Sequence, residues 1–156
     1  MQNNIELKPN NKIIHKLNLL FKQNSIANKE RILSIIANNY AVLFGLKQDN
    51  INVKLLNEQI IGANSELFMG NFNKDAPNTI FINLANIDNP IKIISVIAHE
   101  LTHLIDNSKN IFIPNDITQN KRAIHNGYLA SYHAIKAQIN KDNQLIYLYE
   151  PLIKYI

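Results

Sequence analysis

A chain of 156 residues, 46% hydrophobic and 18% charged, is long enough to bury a core of its own and too apolar for a disordered chain. It has no cysteine, which excludes disulfides and thiol chemistry. The net charge of +4 comes from lysines and arginines scattered without a run, a solvated surface rather than a nucleic-acid footprint.

Residues 1–12 are polar, with Pro9-Asn10-Asn11, and read as a loose lead-in to a single domain over 1–156. The start, Met1-Gln2-Asn3-Asn4, lacks a basic region followed by an apolar one, so no Sec signal is expected. No apolar run approaches the ~20 residues of a membrane span. The expected location is therefore the cytoplasm or, by a signal-independent route, outside the cell. Asn, Ile and Lys are abundant and share A/T-rich codons, which points to an A/T-rich bacterial genome rather than a prion-like tract.

Ile13, Ile14, Leu17, Leu20 and Phe21 have helical spacing, ending near Gln23-Asn24-Ser25. His15 falls among polar neighbours and reads as solvated. A second helix is expected from Ala27 to Leu43, with Ile32, Ile35, Ile36 and Tyr40 inward and Gly45 near its end. The period then changes. Ile51, Val53 and Leu55 alternate with polar residues as a half-buried strand. Gln59-Ile60-Ile61 and Glu66-Leu67-Phe68-Met69 read as short strands, and Asp75-Ala76-Pro77-Asn78 as a turn. Thr79 to Leu84 is the clearest strand, and its place just before the next helix suggests an edge along a cleft.

That next helix holds His99-Glu100-Leu101-Thr102-His103. Asp88-Asn89-Pro90 supplies a capping side chain before a proline in the first turn, and Asn107-Ser108 a stop. Ile94, Ile97, Ala98, Leu101, Leu104 and Ile105 form an apolar stripe, and the two histidines fall off it. Residues four apart share a helix face, about 5–6 Å between Cβ atoms, so both imidazoles can reach one zinc at about 2.0–2.1 Å. Glu100 lies about 100° further round, placed to take a proton from a water attacking a carbonyl. Beyond a loop over Asn110–Asp116, a long helix is expected over Ile117–Asn140, its apolar positions including Ile124, Leu129, Ala130, Ile135 and Ile139, with Gly127 a weak point. The tail from Leu145 to Tyr149 is ambiguous between strand and helix.

Ile97-Ala98-His99-Glu100-Leu101-Thr102-His103 resembles the active-site helix of the zincin metallopeptidases, its five letters H-E-L-T-H those of the thermolysin-like branch. The resemblance spans about residues 79–133 and is specific only over the helix. It implies Zn2+ as cofactor, His99 and His103 as ligands and Glu100 as general base. A looser likeness to small bacterial toxin and effector modules implies a protein substrate and a cognate inhibitor or immunity protein. The expected fold is α+β and zincin-like: N-terminal helices, a small mixed or antiparallel sheet, the metal helix and a C-terminal support helix.

Catalytic zinc usually takes three protein ligands. Asp106 shares the face of His99 but lies about 10 Å along the axis, too far unless the helix breaks. In the thermolysin-like branch the third ligand is a glutamate about twenty residues on; here that window, Arg122 to Tyr128, has no acid. His125 is its one zinc donor and the expected third ligand, with His133, Asp116, Asp106 and Glu150 as alternatives. Tyr128 and Tyr132 share the face of His125, where a phenol can donate to an oxyanion or simply pack with its tip exposed. The expected activity is that of a zinc-dependent endopeptidase, an effector or toxin domain. The alternatives are a zinc-bound, non-proteolytic regulatory module and a metal-free interaction domain.

Overall fold

A computed structural model describes residues 12–46, 50–57, 70–72, 78–136 and 146–156. The expected lead-in, the strands at 59–61 and 66–69, most of the turn at 75–78 and the helix beyond 136 lie outside the described residues.

Two N-terminal helices come first, α1 (Lys12–Gln23) and α2 (Ile26–Leu43). Ser25 caps α2 by accepting from the Asn28 N–H. Gly45 ends it at φ +96°, a conformation that glycine adopts without Cβ strain, and the Gly45 and Leu46 N–H groups close onto Val42 and Ala41. Ile13, Leu17 and Leu20 of α1 pack with Ile32, Leu33, Ile36 and Tyr40 of α2 in one buried cluster. Each such side chain contributes about 1.5–3 kcal/mol by leaving water.

Three strands follow, β1 (Asn52–Leu56), β2 (Gly70–Phe72) and β3 (Thr79–Asn83), in the spatial order β1-β3-β2. β1 runs parallel to β3, with Val53 opposite Ile80, and β2 runs antiparallel, with Gly70 opposite Ile82. The sheet is thus mixed and the fold α+β. Residues 79–83 are not the edge that their position suggested. They form the central strand, paired on both sides, because Ile80 and Ile82 are wholly buried and need neighbours across them.

The outer side of β1 is closed by a helix. Glu30, Ser34 and Asn38, one turn apart on α2, accept from the backbone N–H groups of Leu55, Val53 and Ile51 at 2.8, 2.9 and 2.9 Å. A helix face thereby satisfies a row of donors that would otherwise template a foreign strand.

After a 3-10 turn at Leu84–Asn86 come α3 (Ile91–Ser108) and α4 (Ile117–Lys136), a helical hairpin. Ile94, Ile97, Ala98, Leu101 and Leu104 of α3 are buried, as the stripe predicts. Of the apolar positions expected on α4, Ala130 is buried but two larger ones are not. Ile124 and Leu129 are exposed, and the buried residues are Ala123, Gly127 and Ala130. The helices approach so closely that a Cβ on Gly127 would stand 2.7 Å from the Ser95 carbonyl oxygen, so bulky side chains are turned outward. A second 3-10 turn at Ile146–Tyr149 leads into α5 (Glu150–Tyr155), where Leu148, Tyr149 and Leu152 complete the core. The Tyr149 hydroxyl is hydrogen-bonded to that of Tyr40, tying the C-terminal segment to α2.

Candidate metal centre

α3 begins where its sequence directs. The Asn89 carboxamide oxygen accepts from the Ile91 N–H at 3.2 Å, the Asn89 carbonyl from the Lys92 N–H, and Pro90 already has helical angles. From that start the register puts Ile97, Ala98 and Leu101 into the core and leaves His99, Glu100 and His103 on the other face. Thr102, also buried, bonds back to the Ala98 carbonyl and accepts from the Asn126 amide at 3.0 Å, which fixes α4 against the helix that carries the pair.

One ligand atom from each of His99, Glu100 and His103 lies within 4.8 Å of the other two. Two donors bound to one tetrahedral zinc sit about 3.3 Å apart, so small rotamer changes would bring these into a first coordination sphere. The imidazoles meet edge to face at 5.1 Å, and His99 Nε2 is 3.8 Å from Glu100 Oε1. Glu100 Oε2 and His103 Nδ1 are buried with no hydrogen-bond partner among the described residues. Burying such atoms unpaired is costly, and a cation held between imidazole and carboxylate would satisfy them. The donor set fits zinc.

Burial acts on these groups in opposite directions. It pushes the Glu100 carboxyl up from 4.5 to about 7, since the charged form loses its water. It pushes His99 down from 6.5 to about 4, helped by His103 beside it. His103 is lowered by burial and further by Arg122, with Asp106 opposing. Both imidazoles are therefore held in the neutral form that a metal needs.

Several neighbours frame the site. Phe112 packs edge-on against His103 at 5.4 Å. Strand β2 crosses beside Val96 and Glu100, and Gly70 allows this: a Cβ there would collide with the Val96 side chain and come within 3.4 Å of Glu100 Cγ. Asp106 is buried and ion-paired with Arg122 of α4. None of these four contacts is evident from spacing. The Asp106–Arg122 pairing in particular needs the hairpin to be known first.

Among the described residues no further histidine, aspartate or glutamate joins the three. His125, the expected third ligand, is exposed and stands outside the group. The reason is rotational. Arg122 and Asn126 of α4 border a cavity of about 230 Å³ together with Thr102, Ile105, Asp106 and Lys109 of α3. His125 lies on the side of α4 roughly opposite the buried Ala123, Gly127 and Ala130, and so is turned away from α3. Asp106 is engaged by Arg122. Asp116 caps α4, accepting from the Gln119 N–H at 2.9 Å. Glu150 is exposed and pairs with Lys154 at the start of α5. The side chain of His133 lies outside the described residues. Tyr128, the expected oxyanion donor, is 68% exposed on the side of α4 opposite Ala130 and is not brought to the pair. His15 is exposed, as expected.

Among the described residues, no helix is long and apolar enough to cross a membrane. Compared with family models, curated proteins and solved structures, the chain finds no match.

Proposed function

We propose that this protein is a zinc-dependent endopeptidase acting on a protein substrate, with His99 and His103 as metal ligands and Glu100 as general base. The observation that carries this reading is the group His99–Glu100–His103, half-buried at His99 and buried at the other two, its donors within 4.8 Å and two of its polar atoms without a hydrogen-bond partner among the described residues. Zinc bound there would polarise a scissile carbonyl and acidify water. Glu100, its carboxyl raised to about 7 by burial, is poised near neutral pH to take a proton and return it to the leaving amine. β2, at the edge of the described sheet beside Glu100, offers backbone groups to an extended peptide, the role first expected of residues 79–84. The likeness to zincins and to small effector or toxin modules adds the protein substrate and a cognate inhibitor to this reading.

Glu100→Gln tests it. The variant should keep the metal, measured by elemental analysis, and lose about 10²–10⁴-fold in peptide hydrolysis, because an amide accepts no proton at neutral pH. Cleavage products in a bacterial or host lysate, compared by mass spectrometry between parent and variant, would give the substrate. Full activity with metal bound would end the mechanism.

A second reading is favoured by one observation: the third donor in the group is Glu100 itself. If its carboxylate is a ligand, no base remains and the site is a zinc-binding regulatory module. Glu100→Gln would then lose the metal as well.

A further inference from the structure

Large apolar side chains on the outer face of α4 follow a pattern. Ile117 is 71% exposed, Ile124 60% and Tyr128 68%, with exposed Lys121 between them. Their positions, 117, 121, 124 and 128, step by four, three and four, the spacing of a seam along which one helix packs against another. Scattered exposed apolar residues need no explanation, but a periodic row of them on one helix face marks an interaction surface. The face opposite, Ala123, Gly127 and Ala130, is already used against the rest of the molecule. α4 is therefore amphipathic in an unusual sense, with small residues inward and large ones outward.

Charge selects the occupant. Residues 117–136 contain no aspartate or glutamate, whereas Lys121 stands in the seam and Arg122 beside it. A second copy of α4 laid against this face would bring Lys121 to a surface with no acid to meet it. An anionic membrane is poorly served too, since surface binding draws on clusters of four to eight cations and Arg122 is already paired with Asp106. A foreign helix with apolar seam residues and glutamates on its flanks matches both the spacing and the charge. We propose that the outer face of α4 is a docking surface for an acidic amphipathic helix of a partner protein. It is independent of whether the metal centre is catalytic.

The test uses the full chain and two synthetic amphipathic helices with the same leucine seam, one flanked by glutamates and the other by lysines, measured by fluorescence anisotropy. The glutamate peptide should bind, and the lysine peptide should bind at least about tenfold more weakly. Ile124→Lys, at an exposed position that leaves the fold alone, should weaken binding of the glutamate peptide by about tenfold or more. Lys121→Glu should invert the preference between the peptides. No binding of the glutamate peptide, or binding unchanged in Ile124→Lys, overturns the proposal. So does sedimentation showing a dimer of the parent that Ile124→Lys dissolves, which would assign the face to a second copy. Binding to phosphatidylserine–phosphatidylcholine vesicles in place of the glutamate peptide would assign it to a membrane and overturn the proposal equally.

Discussion

α3 and α4 form one hairpin, yet they solve the problem of packing in opposite ways. α3 buries large aliphatic side chains, so its inward face is also its most hydrophobic face. α4 buries Ala123, Gly127 and Ala130 and sends Ile117, Ile124 and Tyr128 outward. Hydrophobic periodicity reports which face is inward when a helix packs through side chains. It misleads when two helices approach backbone to backbone, because small residues are then selected for size and carry little hydrophobic signal. The pair also divides its labour: on α3 the stripe fills the core while its other face carries His99, Glu100 and His103.

The sharpest contrast is energetic. Leu101→Ala removes a fully buried side chain from the stripe, and thermal or denaturant unfolding should show a loss of about 2–5 kcal/mol. A loss near zero would mean that the stripe is not what holds α3.

The metal face of the same helix should behave in the reverse sense once metal is removed. In the folded protein Glu100 keeps its proton up to about pH 7, against 4.5 for an ordinary carboxyl. Stability from this group is complete below the lower value and drains as pH rises through the higher one. Metal-free Glu100→Gln should therefore be more stable than metal-free parent at pH 8, by about 2–3 kcal/mol, with most of the difference gone at pH 5. Denaturant midpoints at the two pH values check this, and a gap independent of pH would refute the buried-carboxylate account. Loss of stability at this site in exchange for chemistry is the usual trade of a functional face.

Much of α3 was legible because several local signals agreed: Asn89-Pro90 at its start, the aliphatic stripe, and two histidines off the stripe at metal-binding spacing. α1, α2, β1 and β3 were legible for the same reason, each with an unbroken period and turn residues at its ends. What was not legible depends on long-range geometry. The rank of β3 as central strand depends on what pairs with it, including β2, which has only three residues. The rotation of α4 depends on how closely Gly127 lets it approach Ser95, and that rotation removes His125 from the site and puts Arg122 against Asp106. A sequence window can offer a donor, but it cannot say which way the donor turns.

Gly127 is thus the hinge of the comparison, and Gly127→Ala is its direct test. On an ordinary helix interior this change stabilises by up to about 1 kcal/mol. Here the new methyl would press on the Ser95 carbonyl and hydroxyl, at 2.7 and 2.9 Å, so α4 must shift or the contact must strain. The expected outcome is a loss of about 1–3 kcal/mol in denaturant unfolding. A gain would show that the two helices are not in close contact.

The smallest effect belongs to a residue that sequence reading counted among the apolar positions of α4. Ile124 is 60% exposed, about a quarter turn round α4 from its buried face. A buried isoleucine replaced by serine would lose several kcal/mol, from lost transfer energy and from the void left behind. An exposed one loses only slight burial and changes helix propensity little, since Ile and Ser rank close together. Ile124→Ser should therefore move the denaturant midpoint by no more than about 0.5 kcal/mol, with unchanged far-ultraviolet circular dichroism. A loss of several kcal/mol would place Ile124 in the interior, turn α4 by about a quarter turn, and bring the His125 face nearer to the metal site.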